Sequence, residues 1–482
     1  MSLKFLPILG LAAALITALP ASAQVRLPNL PGGGRLPGGE LLRRTEPLLT
    51  STSQLLAPVD PLRWRERLAD QLLRRHPDQL QRNAADELVF IGEVLALPSS
   101  AQARQRVLSM DGWDRVEETR LDGLDLAWLR LRASAGTSPS ALAARIAQLR
   151  AEDPEGSYDY HHVYVDAGTA TSTEGAPPSS RGATVTTLAS ASASASASAT
   201  ATQPAASSTS TGGNATGSIE TEGAVTGERR VGMIDSGVDA AHPSLRHVAL
   251  TRQGCEGQAR PAAHGTAVAS LLVGDSEIGF RGALPRGRLF AMDVYCEGGS
   301  QAGGGVQAIA EGFAWLARMR VGVVNISLVG PPNALLRRVV EAAQDKGLLI
   351  VAPVGNDGPS APPLYPAAWP GVIAVTGVDA RRRVLVEAGR GPHVAFAAPG
   401  ADMVAAEAGG RGYAAVRGTS FAAPLVAGLL AARLPSSDRA ASSSAFNALA
   451  REAIDLGAPG RDDVYGVGLV GASLRVNAGD LR

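Results

Sequence analysis

Residues 166–225 contain almost no large apolar side chain, and Ala189 to Ala199 alternates Ala with Ser before a run rich in Thr, Ser, Gly and Asn. Such a stretch cannot bury enough apolar surface to offset the entropy of ordering it, so it reads as a flexible linker. It divides the 482 residues into parts that must each build a core. Length points the same way, because single cores stop growing near ~250–300 residues. Hydrophobic residues make up 45% of the chain, enough for real cores. The 45 Lys and Arg balance the 45 Asp and Glu, which argues against a nucleic-acid binder held by bulk charge. Aromatics at 4% disfavour a base-stacking platform.

Residues 1–23 carry one Lys (Lys4), an apolar run from Phe5 to Leu19, and Ala21-Ser22-Ala23 before Gln24. This is the three-part pattern of a secretory signal with an A-x-A cleavage site. The apolar run is shorter than the ~20 residues a spanning helix needs, so a membrane anchor is the weaker reading. A periplasmic or secreted protein is expected, with no membrane attachment after the signal is removed. In an oxidising compartment Cys255 and Cys296 are expected to form a bridge; two separate buried thiols are the alternative. A loop of that length is worth roughly 4 kcal/mol in the chain-entropy account.

Residues 24–85 form a Pro/Gly-rich and then Arg-rich leader, in which Leu62 to Leu73 has some helical periodicity. Residues 86–165 read as a small α+β unit. Leu88 to Leu97, Arg115 to Arg120, Leu124 to Arg132 and Tyr158 to Val165 are strand-like. Helices are expected at Ser100 to Val107 and from Ser138, with Leu142, Ile146 and Leu149 on one face. The order βαββαβ is the ferredoxin-like pattern. Residues 226–476 alternate short apolar strands with helices, the signature of a doubly wound parallel sheet. Strands are expected at 230–234, 288–295, 321–326, 348–351, 372–376 and 394–397, and helices at 264–273, 306–319, 333–346 and 420–434. The fold class is therefore α/β, preceded by the small α+β domain.

Three motifs fall at the ends of those elements. Asp235 ends an apolar strand in Val231-Gly-Met-Ile-Asp235-Ser-Gly237, His264-Gly265-Thr266 opens a helix, and Gly418-Thr419-Ser420 opens an apolar helix. The order Asp…His…Ser matches one known arrangement of a nucleophile, a base and its orienting carboxylate. A fourth motif, Gly355-Asn356-Asp357-Gly358, follows an apolar strand. With these four motifs in order, residues 226–476 resemble the subtilisin-like serine peptidases, the subtilase family. The resemblance implies Ser420 as nucleophile, His264 as general base and acid, and Asp235 as its orienting partner. It implies an oxyanion hole from Asn356 and the Ser420 backbone N–H, the latter at a helix N-terminus where the dipole favours an anion.

The resemblance further implies that extended peptides pair with Ser327, Leu328, Val329 and Gly330, with Val354 and Gly355 on the opposite pocket wall. Val329 and Val354 are bulkier than the Gly and Ala usual in the family, so small or unbranched apolar residues are expected before the cleaved bond. The family's Asn-rich calcium loop is missing from Gly274–Gly279. No metal or other cofactor is expected, and calcium, though possible, has no supporting motif. The unit at 86–165 resembles the family's inhibitor-type propeptide, which implies an N-terminal domain acting as inhibitor and folding chaperone until it is cut. Protein or peptide substrates are expected, and no nucleic acid. The reading is an exported, self-processing serine endopeptidase. One alternative is a catalytically silent binding module of the same fold. A secreted esterase is disfavoured because no G-x-S-x-G elbow is present.

Overall fold

The computed structural model describes residues 63–171, 228–258, 260–296, 302–410 and 412–481. The signal segment, the leader up to residue 62 and the linker from residue 172 to 225 lie outside the described residues. Among the described residues no helix is long and apolar enough to cross a membrane.

The chain enters with helix α1 (Trp64–Arg75) and strand β1 (Leu80–Arg82). Then follow β2 (Leu88–Leu97), α2 (Ala101–Ser109), β3 (Trp113–Leu121), β4 (Leu126–Ala133), α3 (Pro139–Glu152) and β5 (Ser157–His162). Ser100 and Ser138 cap α2 and α3 by accepting the Ala103 and Ala141 N–H groups, and Pro139 fits the first helical turn. The strands pair antiparallel in the order β5–β2–β4–β3, the ferredoxin-like arrangement, and β1 adds against the first half of β2. Alternation along the strands gives the sheet two apolar faces. Val94, Ala96, Leu129 and Leu131 meet Val107, Leu142 and Ile146 from its own helices. Leu95 and Trp128 face the other way and join the core of the second part of the molecule.

Two limits from the sequence move. Sequence composition extends the leader to residue 85, yet α1 and β1 are built on the small sheet, because Ala69 and Leu72 of α1 find apolar partners in Leu80 and Leu88. Composition starts the linker at residue 166 and ends the last strand of the unit at 165. Instead β5 stops at His162, and the next residues form β6 (Val165–Asp166) and β7 (Thr169–Thr171) on other sheets. Backbone pairing with strands far along the chain holds these small residues, which composition alone assigns to a linker.

The second part is a seven-stranded parallel sheet. In chain order it contains β8 (Arg230–Asp235), β9 (Leu250–Gln253), helix α4 (Ala263–Val273), β10 (Arg288–Asp293), α5 (Val306–Arg318), β11 (Val323–Ile326) and the short β12 (Leu328–Val329). Next come α6 (Ala334–Asp345), β13 (Leu349–Pro353), β14 (Ile373–Val378), β15 (Val394–Pro399), and the hairpin β16 (Met403–Ala406) and β17 (Tyr413–Arg417). Helices α7 (Thr419–Ala431) and α8 (Arg439–Arg451) complete it. The sheet order is β15–β14–β13–β11–β8–β10–β9. One face is covered by α4 and α7 and the other by α5 and α6, so its inner strands are buried on both sides, while the edge strand β9 stays partly exposed. From β8 the chain runs to one edge through β9 and β10, then to the other through β11 to β15. The carboxyl end of β8 lies at this reversal, the usual place for a site in an open parallel sheet.

Candidate active site

Asp235 is the last residue of β8 and is fully buried. Its Oδ1 accepts the Ser236 N–H (2.7 Å) and pairs with His264 Nδ1 at 2.8 Å. His264 stands in the first turn of α4. That turn is tied to β8 because the Gly265 N–H donates to Ser236 Oγ (3.0 Å). A Cβ on Gly265 would lie 2.1 Å from the Ser236 carbonyl oxygen, so only glycine lets the helix start approach this closely. Ser420 stands in the first turn of α7, entered through Gly418 at φ 138°. Its hydroxyl donates to the Ser327 carbonyl (3.1 Å), while Ser327 Oγ donates to the Ser420 carbonyl (3.0 Å). The expected Asp and His thus pair directly, while the expected Ser enters from a third element and is held by Ser327.

The cleft beside them holds the chain's own segment 163–171. β6 pairs antiparallel with β12, Val165 opposite Val329 and Asp166 opposite Leu328. The Tyr164 N–H donates to the Gly304 carbonyl (2.8 Å), so the segment is a strand added between two edges. The Ala167 N–H reaches the Ser327 carbonyl (3.4 Å). The Ala167 carbonyl oxygen accepts the Ser420 N–H (3.1 Å) and Asn356 Nδ2. The Asn356 amide is oriented by its Oδ1, which accepts the Thr419 N–H (3.2 Å). Beyond Gly168, β7 pairs antiparallel with β17, Thr169 opposite Arg417 and Thr171 opposite Ala415. Tyr164 is fully buried, and its hydroxyl donates to the Pro331 carbonyl (2.6 Å). Asp166 Oδ1 lies 3.6 Å from His264 Nδ1.

The expected peptide edge Ser327, Leu328, Val329 and Gly330 lines this segment, with Gly330 closing a bridge to Tyr365. Val354 sits in the core, and Gly355 backs onto Leu364, 2.5 Å from where its Cβ would be. The Ala167 methyl packs with Val329 and Leu364. Leu364 was not singled out from the sequence. Neither was Phe421, next to Ser420, whose ring lies 5.3 Å from the His264 ring. No local motif marks Leu364, which packs in from a distant segment, and Phe421 stands inside the serine motif but gains its place beside His264 only from the fold. Cys255 and Cys296 are bridged, with their Cα atoms 5.3 Å apart. The clusters of possible metal ligands among the described residues are Asp166–Asp235–His264 and the two cysteines with Asp293. In both, the ligand atoms are already engaged, His264 with Asp235 and the sulfurs with each other.

Comparison with known proteins agrees with this architecture. Subtilisin DY of Bacillus licheniformis is 31% identical over 259 residues, which covers 52% of this chain and 92% of that protein. The minor extracellular protease Epr of Bacillus subtilis (strain 168) is 30% identical over 209 residues, covering 43% of this chain and 32% of Epr, about a third of its length. The crystal structure of fervidolysin from Fervidobacterium pennivorans, described as a keratinolytic enzyme related to subtilisin, superposes with a TM-score of 0.57. It covers 82% of this chain and 62% of fervidolysin, and at 18% identity it shows the fold alone. The subtilase family model matches residues 227–468, the stretch that supplies the parallel sheet, its Asp–His pair and the serine helix, and the chain belongs to the subtilase family of serine-type endopeptidases.

Proposed function

We propose that this chain is an exported serine endopeptidase that works through an acyl-enzyme and that first cleaves its own Ala167–Gly168 bond. One observation carries the reading: both oxyanion donors meet on the Ala167 carbonyl oxygen, so a bond of the chain lies where a substrate bond belongs. Rotation about the Ser420 Cα–Cβ bond turns Oγ from the Ser327 carbonyl toward His264. His264 takes the hydroxyl proton as Oγ bonds to the Ala167 carbonyl carbon. The negative charge forming on the oxygen is held by the Ser420 N–H and Asn356 Nδ2. The C–N bond then breaks, and His264 passes the proton to the Gly168 nitrogen. Water repeats the sequence on the ester and leaves a carboxylate at Ala167. Asp235 holds the imidazole in orientation and stabilises its charged form throughout.

In this reading the N-terminal unit up to Ala167 inhibits until it leaves, since the cleaved tail still fills the edge at β12. Export rests on the N-terminal signal pattern and the Cys255–Cys296 bridge. The test compares purified wild type with Ser420→Ala by intact mass, N-terminal sequencing, casein hydrolysis and fluorophosphonate labelling. The expected result is a new N-terminus at Gly168 and labelling in the wild type alone. A wild type that neither labels nor cleaves overturns the proposal and leaves a binding module of the same fold.

A further inference from the structure

Gly168 follows the bond held at Ser420, and its surroundings leave no room for a side chain. A Cβ there would lie 2.7 Å from Phe421 Cε2, 3.2 Å from Phe421 Cδ2 and 3.2 Å from Ser420 Cβ. Gly168 cannot slide away, because β6 pairs with β12 before it and β7 pairs with β17 after it. On the Gly418 side, a Cβ on Gly418 would lie 2.7 Å from Gly168 Cα, so that wall is close as well.

Phe421 has nowhere to retreat. Its ring is fully buried, in the core shared by α4 and α7, and it lies beside the His264 ring. Both Phe421 and Ser420 stand in the first turn of α7, so the helix that places the nucleophile also places the obstacle. A close-packed interior does not yield to an added methyl without displacing its neighbours. Here the neighbours are the nucleophile and the base, so the strain falls on the reacting geometry.

We infer that Phe421 makes this site selective for glycine directly after the cleaved bond, so that its substrates are extended segments in which a small residue is followed by Gly. The inference rests on the processing reading above and adds the substrate class. Phe421 is a specificity-determining residue, because it blocks side chains and takes no part in proton transfer.

The test uses internally quenched peptides with the chain's own segment, Tyr-Val-Asp-Ala-X-Thr-Ala-Thr, with X as Gly, Ala, Ser or Leu, on the mature wild type. Glycine is expected to exceed alanine by about tenfold or more in kcat/KM, and leucine by more still. In the full chain, Gly168→Ala is expected to slow self-cleavage by a similar factor, with Thr169→Ala as the control. Phe421→Ala is expected to bring Gly and Ala within about threefold of each other. Because that variant opens a cavity, its folding is checked by fluorophosphonate labelling, and the wild-type series stands without it. A wild type that hydrolyses casein but takes Ala or Leu at X as readily as Gly overturns the selectivity alone. A wild type that cleaves no peptide and not its own chain overturns the processing reading with it. A labelled Phe421→Ala enzyme that keeps the full glycine preference overturns the role of Phe421.

Discussion

Asn356 is a residue whose importance the local motif predicts and whose orientation the fold sets. Its Oδ1 is occupied by the Thr419 N–H, so Nδ2 alone faces the Ala167 carbonyl. In the proposed mechanism, replacement by Ala removes one of the two donors that hold the Ala167 carbonyl oxygen. Loss of the corresponding donor in the relative subtilisin lowers kcat about 10²–10³-fold, and the same range is expected here with KM little changed. Steady-state kinetics of the mature enzyme on a cleavable peptide measure it. The pocket for the residue before the bond is set by Val329 and Leu364 around the Ala167 methyl. Val329→Ala is expected to raise kcat/KM for Leu at that position, relative to Ala, by about tenfold, since a methylene in a pocket is worth 10–200-fold. A peptide series varied there checks it. Val329 was legible in the sequence from its neighbours in the edge motif. Leu364 was not, because it arrives from a loop 35 residues further along.

At the level of elements, α1 is the unexpected one. Sequence periodicity suggests a helix, but the helix has a use only in three dimensions. Its Ala69 and Leu72 cluster with Val163 and Val165, so α1 roofs the segment that lies in the cleft. Arg65 Nε also pairs with Asp357 Oδ2 at 2.5 Å, beside Asn356. Both side chains of the pair keep solvent exposure, so its contribution is expected to stay below about 1 kcal/mol. Leu72→Ala removes buried apolar contact at a cost of about 2–5 kcal/mol. It is expected to speed release of the cleaved N-terminal unit, read as a shorter lag before casein hydrolysis, with the Ala167–Gly168 cut unchanged. The loop after α4 makes a second prediction at this scale. Asp275 pairs with Arg286 Nε (2.6 Å) and Arg281 (3.5 Å), so guanidinium groups already neutralise its carboxylate. A chelator is therefore expected to leave the thermal midpoint of the mature enzyme unchanged, measured by calorimetry with and without added calcium.

Across the whole molecule, the small unit meets the parallel-sheet part through two histidines at the end of β5. His161 Nδ1 pairs with Glu93 Oε2 (2.7 Å), and its Nε2 accepts the Gln307 N–H (3.3 Å) at the start of α5. His162 Nδ1 accepts from Asn333 Nδ2 (2.8 Å), whose Oδ1 caps α6 through the Leu336 N–H. Burial pushes His161 below its ordinary 6.5, although Glu93 pulls it back; Arg130 and His162 add to the fall. Burial also disfavours the Glu93 carboxylate, but His161, Arg132 and Arg130 outweigh it and hold its pKa at about 2. The packed state disfavours the protonated His161 ring, whereas a ring released to water takes up a proton below about 6.5. Stability from this contact is therefore complete above that range and falls as pH drops through it, by up to about 1.4 kcal/mol per pH unit. The thermal midpoint of the uncut Ser420→Ala chain is expected to fall between pH 7.5 and 5.5, and less so when His161→Gln is added.

Much of the fold class was written locally. Apolar runs buried on both faces, helix caps at Ser100, Ser138 and Asn333, and the βαββαβ order follow from side-chain period and hydrogen-bonding chemistry between near neighbours. The Asp, His, Ser and Asn motifs were readable because each sits where a strand or helix ends, and short-range geometry demands glycine or a cap there. Tertiary structure alone decided which backbone fills the cleft, which side chains bound it, and where the linker begins. Ala, Gly and Thr at 167–171 carry no pattern of their own. Their place is set by edges at Leu328–Val329 and Tyr413–Arg417, more than 150 residues away in the chain. Pairing of that kind is a property of two backbones meeting, and no window of sequence contains both.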